Sequence, residues 1–181
     1  MKLNLGCGLT YKKGFVNLDI NKNIKADIYH DMNNKLPFND HTFDYILADN
    51  CLNYSRDIIT TLRDLYRITK PNGTIDVYAI HYTSPYALKH LFHNCQFGVG
   101  SLDIMSHETG LDRMYDDLNF KVEKEKLFVF LKCYDGKLGK ICKFINHFNF
   151  LFNFTQLWRI FCERFWIFGF DEIYYKLRVI K

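Results

Sequence analysis

Glycines and acids fall at strand-like boundaries near the start of the chain. Gly6-Cys7-Gly8 closes a short run, Lys2–Leu5, and Asp19 stands at the end of a second, Phe15–Ile20. Asp31 directly follows a third, Asp27–His30. Glycines after a strand let a ligand approach the backbone closely. A carboxylate at the end of the next strand is suited to accept both hydroxyls of a ribose, and a second acid beyond it an adenine amino group. Taken singly, the glycines make an ordinary tight turn and the aspartates ordinary turn formers. Their order joins them, because ligands of open α/β sheets bind beyond the carboxyl ends of the strands. The pattern is nucleoside-shaped.

The elements that must position these residues follow from the hydrophobic pattern. Phe43–Ala48 reads as a fourth strand, between Asn39-Asp40 and Asp49-Asn50. Arg56–Ile68 reads as a helix, with Ile58, Ile59, Leu62, Leu65 and Tyr66 on one stripe, Ser55 as N-cap and Asp57 in the first turn. Pro71-Asn72-Gly73 stops it, and Thr74–Ile80 follows as a fifth strand. Alternating strands and crossovers predict an α/β fold with a mostly parallel sheet. Only seven residues, Leu9–Phe15, lead from Gly8 into the second strand, so any first helix is a stub. That disfavours a nicotinamide-dinucleotide oxidoreductase, as does the lack of a full G-x-G-x-x-G.

Beyond residue 80 the pattern changes. Tyr86–His93 and Asp103–Asp117, interrupted at Gly110, read as helices, and Phe120–Lys126 as an edge strand. Asp171–Ile180 alternates, as a half-buried antiparallel strand does. Between them, Phe144–Phe170 holds nine of the 17 Phe and both Trp. Ile141, Phe144, Ile145, Phe148, Leu151 and Phe152 make an apolar helical stripe, with Asn146, Asn149 and Asn153 opposite. Trp158, Phe161, Phe165 and Phe168 extend the aromatic surface. Helices packed on the sheet account for most of these residues. A surplus would form an acceptor lid, a dimer face or a membrane contact, and Lys137, Lys140 and Lys143 tip the balance towards an anionic surface.

The chain has 181 residues, 48% of them hydrophobic and 24% charged, which is globular usage. A net charge of +4 with no basic run argues against nucleic acid. Six scattered cysteines without a C-x-x-C pair read as reduced thiols, hence a cytoplasmic protein. No signal peptide and no apolar stretch of roughly 20 residues is evident.

With LNLGCG…GFVNLDI…ADIYHDMNNKLPFNDHTFDYILADNCLNY…LRDLYRITKPNGTIDVY, the chain resembles a small class I S-adenosylmethionine-dependent methyltransferase, type 11-like. The resemblance implies a Rossmann-like, mostly parallel seven-stranded sheet with its last strand antiparallel beside the fifth, to which this sequence adds a shortened first helix and an aromatic helical insertion at about 128–170. It implies one domain over 1–181, with 1–80 as the cofactor half and 81–181 as the acceptor side. Leu5, Gly6, Cys7 and Gly8 are then expected beside the amino-acid end of S-adenosyl-L-methionine, Asp19 on the ribose diol and Ile20 on the adenine. Asp31 and Met32 meet the adenine amino edge, and Asn50 lines the place where the methyl faces its acceptor. Where relatives carry Glu-His on the acceptor side, this chain has Asn53-Tyr54.

The acceptor implied is a small molecule, a glycan or a lipid-linked group, with peripheral membrane contact through the aromatic segment. For a hydroxyl acceptor a histidine is the natural base near pH 7. His81, directly after the fifth strand, and His93 match histidines of the resembling subgroup and are the catalytic candidates; a capping or turn role is the alternative for each. His90, His93 and Cys95 lack zinc spacing, so no metal is expected. A second reading, motivated by Asn53-Tyr54, is a cofactor-binding module that has lost transfer.

Overall fold

The computed structural model describes residues 1–107, 117–129, 144, 147–165 and 169–181. Its frame is a seven-stranded sheet: β1 Lys2–Leu5, β2 Val16–Asp19, β3 Ile28–Tyr29, β4 Phe43–Asp49, β5 Thr69–Ile80, β6 Phe120–Phe128 and β7 Glu172–Val179. The spatial order is β3-β2-β1-β4-β5-β7-β6. β1 to β5 pair in parallel, and β7 runs antiparallel between β5 and β6. This is the sheet the sequence predicts, with the last strand inserted beside the fifth.

Helix α1, Ile58–Ile68, buries Leu62, Leu65 and Ile68 in the core formed with Leu3, Leu5, Ile46, Ile75 and Val77. Its N-cap is Asp57, not Ser55. The Asp57 carboxylate accepts from the Ile59 and Thr60 amides at 3.1 and 3.2 Å, while Ser55 is buried against the Thr61 hydroxyl at 2.8 Å. A carboxylate can accept several donors at once, so the helix starts at Ile58, with the apolar stripe and two residues later than the predicted Arg56.

No helix, not even a stub, joins β1 to β2. Two buried asparagines hold the turns instead. Asn4 Nδ2 donates to Thr10 O and to Asn17 Oδ1, at 2.9 and 3.0 Å. Asn17 Oδ1 also accepts from Lys12 N, and its Nδ2 donates to Lys12 O and Phe15 O. The backbone of this crossover is thus satisfied by side chains where a helix would satisfy it internally.

Other boundaries differ too. β5 begins at Thr69, and Pro71-Asn72-Gly73 lies within it where the register against β4 shifts. The turn signal here marks a bulge. α2 is confined to Pro85–Lys89, capped by Ser84. Asp103–Met105 forms a single 3-10 turn, and residues 108–116 of the predicted 103–117 helix lie outside the described residues. β7 is more than half-buried, because β5 and β6 flank it and its polar-face Glu172 and Tyr174 are enclosed as well.

The aromatic segment departs furthest from its pattern. Phe148–Phe152 is a 3-10 turn and α3 spans Gln156–Phe165. Ile141, Ile145, Asn146, Phe168 and the lysines at 137, 140 and 143 lie outside the described residues. Asn149 and Asn153, expected opposite the packed face, turn inward to the edge strand β6. Asn153 Oδ1 accepts from Leu127 N at 2.8 Å, its Nδ2 donates to Leu127 O at 3.0 Å, and Asn149 Oδ1 accepts from Val129 N. The unpaired edge of a sheet needs hydrogen bonds that phenylalanine cannot supply.

Candidate functional site

β1, β2 and β4 end side by side, Leu5 pairing with Leu18 and with Ala48. Over these carboxyl ends opens a cavity of about 970 Å³, near the top of the roughly 300–1,000 Å³ usual for small-ligand sites. Gly6, Gly8, Asp19, Ile20, Asp31, Met32 and Asn50 line it. Leu5 and Cys7 do not. Leu5 is in the core, and buried Cys7 turns its thiol towards Lys25 O, so these two hold the turn from behind.

Both glycines have left-handed backbone, φ +60° at Gly6 and +51° at Gly8. A Cβ on Gly6 would collide with the Cys51 side chain, whereas one on Gly8 would meet nothing within 4 Å. The turn therefore packs on one side and leaves open space on the other. Asp19 Oδ2 accepts from Gly8 N at 2.8 Å and Oδ1 from Asn21 N at 2.9 Å. Each oxygen keeps a lone pair for two adjacent hydroxyls. Asp31 Oδ1 accepts from the Asn33 amide and side chain at 2.9 Å, with the Arg56 guanidinium 3.7 Å from Oδ2. Those N–H donors, the Asn33 amide foremost, hold its carboxyl below the usual range.

Asn50 supplies a second test of fit. Its φ is +51°, and its Nδ2 donates to Glu172 Oε1 at 3.0 Å and to Asp49 Oδ1 at 3.2 Å. That fixes the amide with Oδ1 enclosed and lacking a hydrogen-bond partner among the described residues. An orphaned acceptor on a cavity wall calls for a donor from a ligand. Glycine turn, braced ribose acid, second acid and waiting acceptor together fit an adenosyl amino acid.

Of the remaining lining, the sequence anticipates only Tyr54, by its place on the acceptor side. Tyr54, Arg56, Leu91, Phe92 and Asn94 complete the lining. Asn53 brings them together. It is buried, its Nδ2 donates to Ile80 O and Cys95 O, and its Oδ1 accepts from Ile80 N at 2.9 Å. Its carbonyl also accepts from the Asn94 and Cys95 amides. Asn53 thus clamps the 3-10 turn Leu52–Tyr54 to the end of β5 and to the segment carrying Leu91 and Phe92. Burial pushes the Tyr54 phenol up, so it stays a neutral hydrogen-bond donor at pH 7.

Neither candidate histidine lines the cavity. His81 is fully buried; its Nδ1 accepts from Thr83 N at 3.2 Å, and its Nε2 lies 2.7 Å from Glu163 Oε1. These partners assign the proton to Nε2 and leave no free lone pair for a substrate. His81 fastens the end of β5 to α3. His93 packs edge-on against Tyr54, centroids 4.7 Å apart, and stacks on His90 at 4.9 Å. Burial, with His90 adjacent, lowers its pKa and keeps it neutral. It supports the Tyr54 ring from behind. Sequence placed both at the right edge of the sheet and could not show which way they turn. Among the described residues no group of three or more His, Cys, Asp or Glu side chains gathers to hold a metal.

Residues 4–77 match the family model described as the methyltransferase domain. Among solved structures, the S-adenosylmethionine-dependent methyltransferase of Archaeoglobus fulgidus superposes with a TM-score of 0.58 at 17% identity, covering 98% of this chain and 85% of its own. That of Mesorhizobium loti gives 0.57 at 14% identity, covering 98% and 90%. The [4+2]-cyclase SpnF gives 0.56 at 11% identity, covering 99% and 75%. No curated protein sequence matches the chain. The sheet order, the cavity over its carboxyl ends and the match at 4–77 agree: the protein has the fold of the S-adenosylmethionine-dependent methyltransferases, and its residues 4–77 carry the pattern of a methyltransferase domain.

Proposed function

We propose that the protein transfers the methyl group of S-adenosylmethionine to a small or lipid-linked acceptor that approaches between Tyr54 and the Leu91–Phe92 segment. The observation carrying this reading is a single cavity whose lining joins glycines and acids suited to a nucleoside with the exposed apolar side chains of Leu91 and Phe92 and the Tyr54 ring. When bound, the cofactor supplies an electrophilic methyl on its sulfonium. Asp19 takes the ribose hydroxyls, Asp31 and Met32 the adenine edge, and the backbone at Gly6 and Gly8 the amino-acid end. Asn50 Oδ1, on the same lining, accepts a ligand donor. Tyr54, Leu91 and Phe92 orient the acceptor and exclude water, which is the protein's main task when the cofactor brings the reactive group. Asp49, exposed on the same wall, is the group placed to take a proton from a hydroxyl acceptor. On this reading the chain acts as one domain, 1–80 holding the cofactor and 81–181 completing, with Asp49 and Tyr54, the acceptor side. The described cysteines, Cys7, Cys51, Cys95 and Cys162, are all free thiols, which supports a reducing compartment.

Calorimetric titration with S-adenosylhomocysteine tests the cofactor site. Saturable binding by the wild type, weakened about tenfold in Asp19→Ala by loss of two charge-assisted hydrogen bonds, is the expected result. No binding by folded wild-type protein overturns it.

A second reading has its own support. The family's Glu-His position is occupied here by a structural clamp, and the fold also serves a [4+2]-cyclase, so architecture alone does not fix the reaction. Binding without S-adenosylhomocysteine release across a panel of hydroxylated acceptors would favour a binding module.

A further inference from the structure

α3 is amphipathic and inside out. Its inward face carries Arg159, Cys162 and Glu163, while Leu157, Trp158, Ile160, Phe161 and Phe165 are exposed, Leu157 to 80%. Committed hydrogen bonds set this orientation. Arg159 donates through Nε and Nη2 to Glu125 Oε2 at 3.1 and 3.0 Å, and Glu163 Oε1 accepts from Val99 N and meets His81, each at 2.7 Å. Rotating the apolar face inward would strand a buried acid, a buried histidine and an arginine without partners. The preceding turn is fixed the same way through Asn149 and Asn153, leaving Phe148, Phe150, Leu151 and Phe154 outside.

We propose that this aromatic face docks the protein on the surface of an anionic lipid bilayer. The exposed rings pack in two runs, Phe150 against Phe154 at 6.5 Å and Trp158 stacked on Phe161 at 5.3 Å, tied together where Trp158 Nε1 donates to Leu151 O at 2.7 Å. Soluble monomers seldom leave so broad a patch uncovered. Charge selects the occupant. Residues 130–165 hold six Lys and Arg against two acids, so the whole net charge of +4 falls in this stretch and the rest of the chain sums to zero. Arg159 and Glu163 are both turned inward, which leaves five basic residues of this stretch against one acid. An apolar face borne on the stretch of sequence that carries the excess positive charge matches an anionic headgroup layer. No helix among the described residues is long and apolar enough to cross a membrane, so the contact is with the surface. Because Glu163 grips His81 directly after β5, α3 sits at the sheet end on which the cavity opens. Given the methyltransferase reading, docking would bring a lipid-linked acceptor to the Tyr54 wall.

The test uses the full chain with vesicles of equal parts phosphatidylglycerol and phosphatidylcholine, against pure phosphatidylcholine. The wild type is expected to co-sediment with the anionic vesicles, about tenfold more weakly with neutral ones, and to show tryptophan quenching by brominated lipid. The double variant Leu157→Glu with Phe161→Glu should lose at least about tenfold in vesicle affinity while still binding S-adenosylhomocysteine, which shows that it is folded. Wild-type protein left in the supernatant overturns the proposal, as does a double variant that still binds vesicles. A stable wild-type dimer that the double variant dissociates also overturns it, assigning the face to a second copy. Vesicle binding without S-adenosylhomocysteine binding would sink the cofactor reading and leave this one standing.

Discussion

α1 and α3 are two amphipathic helices of nearly equal length that present opposite faces to the same sheet. α1 turns Leu62, Leu65 and Ile68 into the core and its charges outward; α3 turns Arg159 and Glu163 inward and its aromatics outward. An apolar stripe says that a helix has two faces, and the partners opposite decide which one is buried. Opposite α1 lie Leu3, Ile46 and Ile75. Opposite α3 lie Glu125, His81 and the Val99 amide, which need polar groups.

The sharpest way to break this contrast is a pair of leucine truncations. Leu62→Ala, at a fully buried position, is expected to cost about 3 kcal/mol in urea unfolding, and Leu157→Ala within about 0.5 kcal/mol of nothing. Equal losses would mean that α3 is packed like α1. Gly6→Ala probes the cofactor half. A methyl driven into Cys51 at φ +60° should cost about 2 kcal/mol and weaken S-adenosylhomocysteine binding, whereas Gly8→Ala, facing open space, should cost about 1 kcal/mol from backbone strain alone. On the other side, Asn153→Ala strands the Leu127 N–H and C=O and should destabilise by about 1–2 kcal/mol. The smallest effect is in pH. Burial raises the Glu125 carboxyl above its ordinary value, against the pull of the Gly100 amide and Arg159. A folded value above the unfolded one favours the fold below the unfolded value, and that contribution fades as pH rises through the folded value. The urea midpoint of the wild type should therefore fall relative to that of Glu125→Gln as pH rises from 4.

The cofactor wall was readable because its signals are local. Gly6, Gly8, Asp19 and Asp31 each sit within a residue or two of a strand end, and strand ends are where an open sheet collects its ligands. The acceptor wall was not, since Tyr54, Leu91 and Phe92 meet only through the Asn53 clamp, whose partners at Ile80 and Cys95 are far away in sequence. His81 illustrates the same limit. Its place after β5 was visible, but the group that accepts its Nε2 hydrogen bond, Glu163, is 82 residues further on. The asparagines at 149 and 153 read as a solvent face because no local pattern announces an edge strand short of partners.

The helix-free link between β1 and β2 bears on how the chain folds. Parallel pairing is ordinarily slow, since a long crossover must close before any contact rewards it. Here Leu3 meets Val16 across one short turn region pinned by Asn4 and Asn17, while Thr74 must wait for Arg178, roughly a hundred residues away. The nucleotide-facing corner is therefore the part of the sheet expected to assemble first, and β7, which closes the other side, the part expected to lock last.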